Sequence, residues 1–295
     1  MMFPLVFFGL TWLFFFILSL NQAEPATLDE VNFNFLHTFP WITIGVLLWF
    51  IIAWFSHSSM IRAATKSRPL ERKENKRVYN LVENLSIAAG MKIPAVNVIE
   101  DDSLNAFASG IDDRTYTVSL SRGIINKLND EELEAVIAHE LTHIRNRDVR
   151  LLIISIFFVG IFSFIAETMF RTIRFSSLGR SGKKGRGGVA ILVALVLAII
   201  GYLIATLIRF AISRKREYLA DAGSAELTKR PLALASALRK VSQDPTIEAV
   251  KRADVAQMFI ENPQLGLKKE HTSPFATLFA THPPIEKRIK ILEQL

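Results

Sequence analysis

Residues 1–23 carry no charged side chain, and the run MMFPLVFFGLTWLFFFILSL within them is nearly continuous hydrocarbon. Nothing else in the 295-residue chain restricts its folding options as much. About 20 apolar residues in a helix cross the hydrocarbon core of a bilayer, so the run reads as a retained span. No Lys or Arg precedes it, which argues against a cleaved signal peptide. Three more apolar stretches come after it, at 40–60, 151–166 and 189–208. A buried core helix is the alternative for each, but 1–20 and 189–208 are too long and too uniform for it. The stretch 151–166 is short enough that both readings stay open. Trp41, Trp49 and Trp54 in the second stretch read as lipid-facing or interfacial.

Basic residues beside the spans set orientation. The connector 21–38 has no Lys or Arg and holds Glu24, Asp29 and Glu30, so it reads as exported. Residues 61–77 hold Arg62, Lys66, Arg68, Arg72, Lys73, Lys76 and Arg77, so the chain just beyond the second span reads as cytoplasmic. The second pair of stretches conflicts with this rule. The loop 171–188 has six basic residues and no acid, and it would be exported if both stretches crossed. Either they do cross against the bias, or they dip in or lie buried. If the two flanking segments meet in one domain, the number of crossings between residues 150 and 213 is even in both cases. That loop also accounts for six of the seven net positive charges, so the basicity is local and no nucleic-acid partner is implied. The partner it implies is a lipid bilayer.

Between the apolar stretches the pattern is that of a folded domain. Val78, Leu81, Val82 and Leu85 share one face of a helix over 70–90, stopped at Gly90. Residues 95–100, 105–110 and 114–120 read as short strands of a small sheet, the last alternating apolar and polar. Asn129-Asp130-Glu131-Glu132 begins a helix with a capping box and acids at its positive end. The expected fold class is mainly α with a small β-sheet (α+β). Residues 1–60 form a transmembrane hairpin, 61–150 the first part of a catalytic domain, 151–212 a second hydrophobic hairpin and 213–295 the second part of that domain.

The helix capped by Asn129 carries His139-Glu140-Leu141-Thr142-His143. Residues four apart on a helix lie one turn up and about 40° round, so both imidazoles can reach one ion. Glu140 points about 100° away from His139, too far for a ligand but placed to contact an attacking water. Two surface histidines on a solvated face are the plain alternative. With no cysteine in the chain, a third ligand must be His, Asp or Glu. His37, His57, His271 and His282 are candidates, and so are carboxylates. In the segment 214–221 Glu217 and Asp221 share a helix face, so Glu217 can bind Zn²⁺ while Asp221 accepts the free N–H of a ligand histidine. A charged helix face just outside a membrane span explains the same spacing equally well. His282, in Thr-His-Pro-Pro, either stabilises an oxyanion or caps a turn before a helix at 285–292.

HELTH, an apolar hairpin, EYLAD and THPPIEKRI, in that order and preceded by two spans and NAFASG, resemble the membrane-bound M48 metalloproteases. The resemblance covers nearly the whole chain. It implies a zincin-type (gluzincin-like) catalytic domain with one zinc on His139, His143 and Glu217, and Glu140 as catalytic base. It places the second acid of the E-x-x-x-D motif on Asp221. The NAFA segment is similar to the family's substrate-binding edge strand, which implies Asn105, Ala106 and Phe107 beside the scissile peptide. It further implies polypeptide substrates, quality control of damaged membrane proteins, a stress response, and residence in the inner membrane with the active site in the cytoplasm. A processing protease with one substrate would share these residues. A non-enzymatic scaffold or transporter would leave HELTH and EYLAD unexplained.

Overall fold

The structure is a computed structural model that describes residues 2–20, 26–176, 186–244, 259–260 and 283–295. It divides into two compact units, Met1–Phe55 with Ile154–Arg209, and Ser56–Ile153 with Phe210–Leu295.

The first unit is built from helices. α1 runs over Met2–Leu20 and α2 over Leu28–Thr65. α2 starts well before the apolar stretch at 40–60, inside the acidic connector. The reason is local: the Thr27 N–H donates to Glu30 Oε2 at 2.9 Å and the Glu30 N–H faces Thr27 Oγ1 at 3.4 Å, a capping box that the charge pattern concealed. α6 covers Asp148–Ser176, and α7 runs unbroken over Arg186–Thr228, carrying the fourth apolar stretch into EYLAD within one helix. Phe7 of α1 packs with Phe158, Val159, Ile161 and Phe162 of α6 and Ala205 of α7. Gly201 makes this approach possible, since a Cβ there would fall 2.4 Å from the Phe162 ring. Leu28–Thr65, Asp148–Thr172 and Val189–Leu207 are long and apolar enough to cross a membrane, and Leu5–Leu20 is a shorter apolar helix. Trp41 is 74% exposed and Phe55 81% exposed, as expected of side chains that face lipid rather than a protein core.

The second unit holds a four-stranded sheet in the order β1-β2-β4-β3. β1 is Arg68–Pro69, β2 Ala95–Ile99, β3 Ala106–Ser109 and β4 Thr117–Ser121. β2 and β4 are parallel and the other pairings antiparallel, with Phe107 opposite Ser119. β4 is buried along its whole length, at its polar as well as its apolar positions. Gly110 comes directly after β3 at φ +109°, and a Cβ there would meet the Thr115 carbonyl oxygen at 2.4 Å, so no other residue fits this turn. α3 (Lys76–Ala88) is capped by Asn75 and buries Val78, Val82 and Leu85. α4 (Arg122–Lys127) leads into α5 (Asp130–Arg145), which lies between the sheet, α3 and α8 (Pro231–Val241). α9 (Ile285–Leu292) packs on α8.

Candidate metal centre

α5 carries both histidines, and its start is fixed as its sequence requires: Asn129 accepts from the Glu132 N–H while Glu132 accepts from the Asn129 N–H. Its burial exceeds what one apolar stripe would give. Glu132, His139, Glu140 and Thr142 are buried along with Leu133, Ile137 and Leu141, so the histidines do not lie on a solvated face. The helix ends at Arg145, and Arg147 at φ +60° reverses the chain into α6. That left-handed residue brings Asp148 back against His143. On the other side, the end of α7 lies close against α5. Ser224 Oγ donates to the Ala135 carbonyl oxygen at 2.7 Å, and a Cβ on Gly223 would fall 2.4 Å from Thr142 Cγ2. Small residues at the crossing let Glu217 and Asp221 reach the histidines.

The result is a cluster of His139, His143 and Glu217 whose donor atoms lie within 4.8 Å of one another. His139 Nε2 and His143 Nε2 face each other at 3.1 Å. Glu217 Oε1 is 3.4 Å from His143 Nε2, and Oε2 is 3.7 Å from His139 Nε2. Tetrahedral zinc with bonds of about 2.0–2.1 Å needs donors roughly 3.3 Å apart, so these spacings fit the ion. The far side of each ring has an acid: His139 Nδ1 is 3.0 Å from Asp221 Oδ1 and His143 Nδ1 is 3.1 Å from Asp148 Oδ2. An acid in that position favours the tautomer with its proton on Nδ1, which leaves Nε2 as the atom turned toward the cluster. Two lone pairs at that distance repel unless a cation or a proton sits between them.

Charge points the same way. Asp148 pairs with Arg216, and Glu217 and Asp221 with Arg288; with Glu140 beside the histidines, four carboxylates stand against two guanidinium groups, a shortfall of two positive charges that one divalent cation makes up. Among the side chains alone, protons fill the shortfall. Burial pushes the Glu140 carboxyl up, against the opposing pull of the two histidines. Burial alone would lower His143, but Asp148 and Glu217 outweigh it and push the ring up to about 10. Burial would raise Asp221, yet Arg288 and His139 hold it down at about 2. The donor set therefore suits a dication.

β3 forms the sheet edge beside Glu140, and the Ala108 N–H donates to the Glu140 carboxylate. Asn105, Ala106 and Phe107 are buried here, and the chain itself pairs with this end of the strand. The Ile260 N–H donates to the Ala106 carbonyl at 2.8 Å, and Phe259 bridges Phe107 with ring centroids 4.7 Å apart. His271 and His282 lie outside the described residues. His37 and His57 belong to α2 and contribute nothing to the cluster. Three residues of the centre were not found by reading the sequence: Asp148, Arg216, which donates to Asp148, and Arg288, which pairs with Asp221. The signal for Asp148 is its place five residues past His143, just beyond the helix end. Arg288 has no local signal, only a position inside THPPIEKRI.

Residues 72–295 match the model of peptidase family M48. A curated protease HtpX homolog from Bacteroides fragilis (strain ATCC 25285) is 62% identical over 300 residues, covering 99% of this chain and 93% of the relative. Another, from Lactobacillus helveticus (strain DPC 4571), is 38% identical over 267 residues, 87% of each chain. Among solved structures, S. mikatae Ste24p superimposes with a TM-score of 0.52 at 20% identity. That match covers 96% of this chain but only 62% of the Ste24p chain, and it concerns the fold alone.

Proposed function

The chain belongs to peptidase family M48, the metalloproteases, and we propose that it is a zinc endopeptidase whose ion is held by His139, His143 and Glu217. The observation that carries the reading is the convergence of two Nε2 atoms and one carboxylate at tetrahedral spacing, with Asp221 and Asp148 behind the rings. When bound, zinc polarises the scissile carbonyl and lowers the pKa of water toward 7. Glu140 takes the proton of the attacking water and passes it to the leaving amine. Burial raises its pKa, which makes it a stronger base for that exchange. Asp221 and Asp148 hold the imidazoles in the tautomer that presents Nε2.

A peptide substrate adds to the edge of β3 through backbone hydrogen bonds, which favours loose sequence specificity. Asn105, Ala106 and Phe107 are the contacts the family likeness suggests, with His282 as the oxyanion donor. Since Ile260 already pairs with Ala106, a peptide adding to this edge would do so beyond that residue. The substrates are damaged or misfolded membrane proteins, cut at the cytoplasmic face of the inner membrane. The basic segment 61–77 and the exported acidic connector support that orientation.

The deciding experiment compares purified wild type, Glu140→Ala and Glu217→Ala for zinc content and for cleavage of unfolded casein. Glu140→Ala is expected to keep one zinc per chain and lose about 10²-fold or more in rate, since only the base is removed. Glu217→Ala is expected to lose both zinc and activity, and chelation of wild type should abolish cleavage reversibly. A fully loaded Glu217→Ala would refute the ligand assignment. Casein left uncut by an active, zinc-loaded wild type would point to a single dedicated substrate.

A further inference from the structure

Arg288 is the largest side chain among those wholly buried, with 0% exposure, and it enters the centre from α9. Burying a guanidinium is costly unless each face of the fork meets an acceptor. Here the fork is fully used. Nε donates to Asp221 Oδ2 at 2.9 Å and Nη2 to Asp221 Oδ1 at 2.7 Å, a two-pronged grip on one carboxylate. Nη1 lies 3.2 Å from Glu217 Oε2 and donates to the Ile260 carbonyl oxygen, also at 3.2 Å. Asp221 Oδ1, held by Nη2, is the atom that lies 3.0 Å from His139 Nδ1. One side chain therefore touches the acid behind His139, the acid read as third ligand, and the segment lying on the β3 edge.

We propose that Arg288 is a positioning residue for the metal centre, fixing Asp221 so that His139 presents Nε2, and fixing the direction of the Glu217 carboxylate. The inference rests on the reading of His139, His143 and Glu217 as ligands. Without the fork, the Asp221 carboxylate is free to rotate and His139 loses its fixed partner. Glu217 also loses the cation that offsets its burial. A lysine keeps the charge but offers a single point donor in place of the planar fork, so charge alone does not restore the arrangement. Outer carboxylate partners of metal-bound histidines typically matter 10–100-fold in metal affinity, and Arg288 acts through one of them.

The test uses full-length protein in detergent and follows transfer of zinc to a chromophoric chelator, beside thermal unfolding. Arg288→Met is expected to lose zinc about tenfold faster than wild type or more, and Arg288→Lys several-fold faster while unfolding near the wild-type temperature. Leu292→Ala, a wholly buried apolar residue of the same helix that carries no polar group to the acids, is expected to lower the unfolding temperature and leave the zinc-transfer rate unchanged well below it. Folded Arg288→Lys with wild-type zinc transfer overturns the proposal. So does Leu292→Ala losing zinc as fast as the arginine variants, because the role would then be packing alone. Glu217→Ala in parallel separates the two readings. If it keeps zinc, the ligand assignment fails; if it loses zinc while both Arg288 variants keep it, only the role of Arg288 fails.

Discussion

Glu132 binds three partners at once: it accepts from Asn129 N–H at 3.0 Å, from Ser236 Oγ at 2.7 Å and from Lys240 Nζ at 2.7 Å. It caps α5 and ties that helix to α8. Burial would raise its pKa, but Lys240, Ser236 and the Asn129 N–H outweigh burial and hold it below the ordinary glutamate range. A folded-state pKa below the unfolded one contributes stability that is present above the unfolded value, about 4.5, and is lost as pH falls through the folded value. Glu132→Gln is therefore expected to cost about 1–3 kcal/mol at pH 7 and to flatten the loss of stability below pH of about 4.5. Unfolding temperatures at neutral and acid pH check this, and parallel wild-type and variant curves would refute it. The Asn129 cap and the His139–His143 pair were legible in the sequence because the partners sit three or four positions apart, whereas the ties of Glu132 to Ser236 and Lys240 span 104 and 108 positions and left no local signal. Asp148 and Arg288 were not legible either. One depends on a left-handed turn at Arg147, and the other joins Asp221 across 67 positions of chain.

The helix at 285–292 and the start of the one capped by Asn129 were read to their bounds, while other helices were read poorly in extent. The helix over 70–90 narrows to Lys76–Ala88, and the two-residue strand β1 lies just before it, too short for any periodicity to reveal. α2 gains its early start from the Thr27–Glu30 cap, which charge counting had absorbed into a loop. The crossing of α5 and α7 depends on small residues whose meaning shows only when the helices meet. Ala220 and Ser224 are wholly buried, and Gly223 lies against Thr142. Gly223→Val would need the helices to separate, at a cost of about 1–3 kcal/mol from overpacking. Because Glu217 and Asp221 ride on the same helix, this variant is also expected to release zinc faster than wild type in the chelator assay. Thr142→Ala placed in the same chain should restore part of both, as it removes the atoms in conflict. A Gly223→Val protein with wild-type stability would mean the crossing is looser than these distances imply.

At the scale of the whole molecule, the class of fold was legible because apolar length and an ordered set of motifs need no knowledge of contacts. The path of the second pair of apolar helices was not, since length permits a crossing and the basic loop argues against one. Asp148–Thr172 and Val189–Leu207 both have the length and hydropathy of spans. If both cross, the loop between them is exported, because the segment 61–77 reads as cytoplasmic. The chain has no cysteine, so Ser181→Cys supplies a single label site. A membrane-impermeant maleimide is expected to label it in intact spheroplasts. Labelling only after lysis would show that the pair does not cross.

The unbroken run of α7 from its apolar stretch into Glu217 has a consequence for how a copy of this protein comes into being. A ribosome that has released α5 has delivered two imidazoles, which alone hold a dication weakly. The proposed third donor is translated only after both greasy helices have left the tunnel. On that ligand set, a chain still being made has no complete metal centre until both apolar helices and Glu217 have been translated.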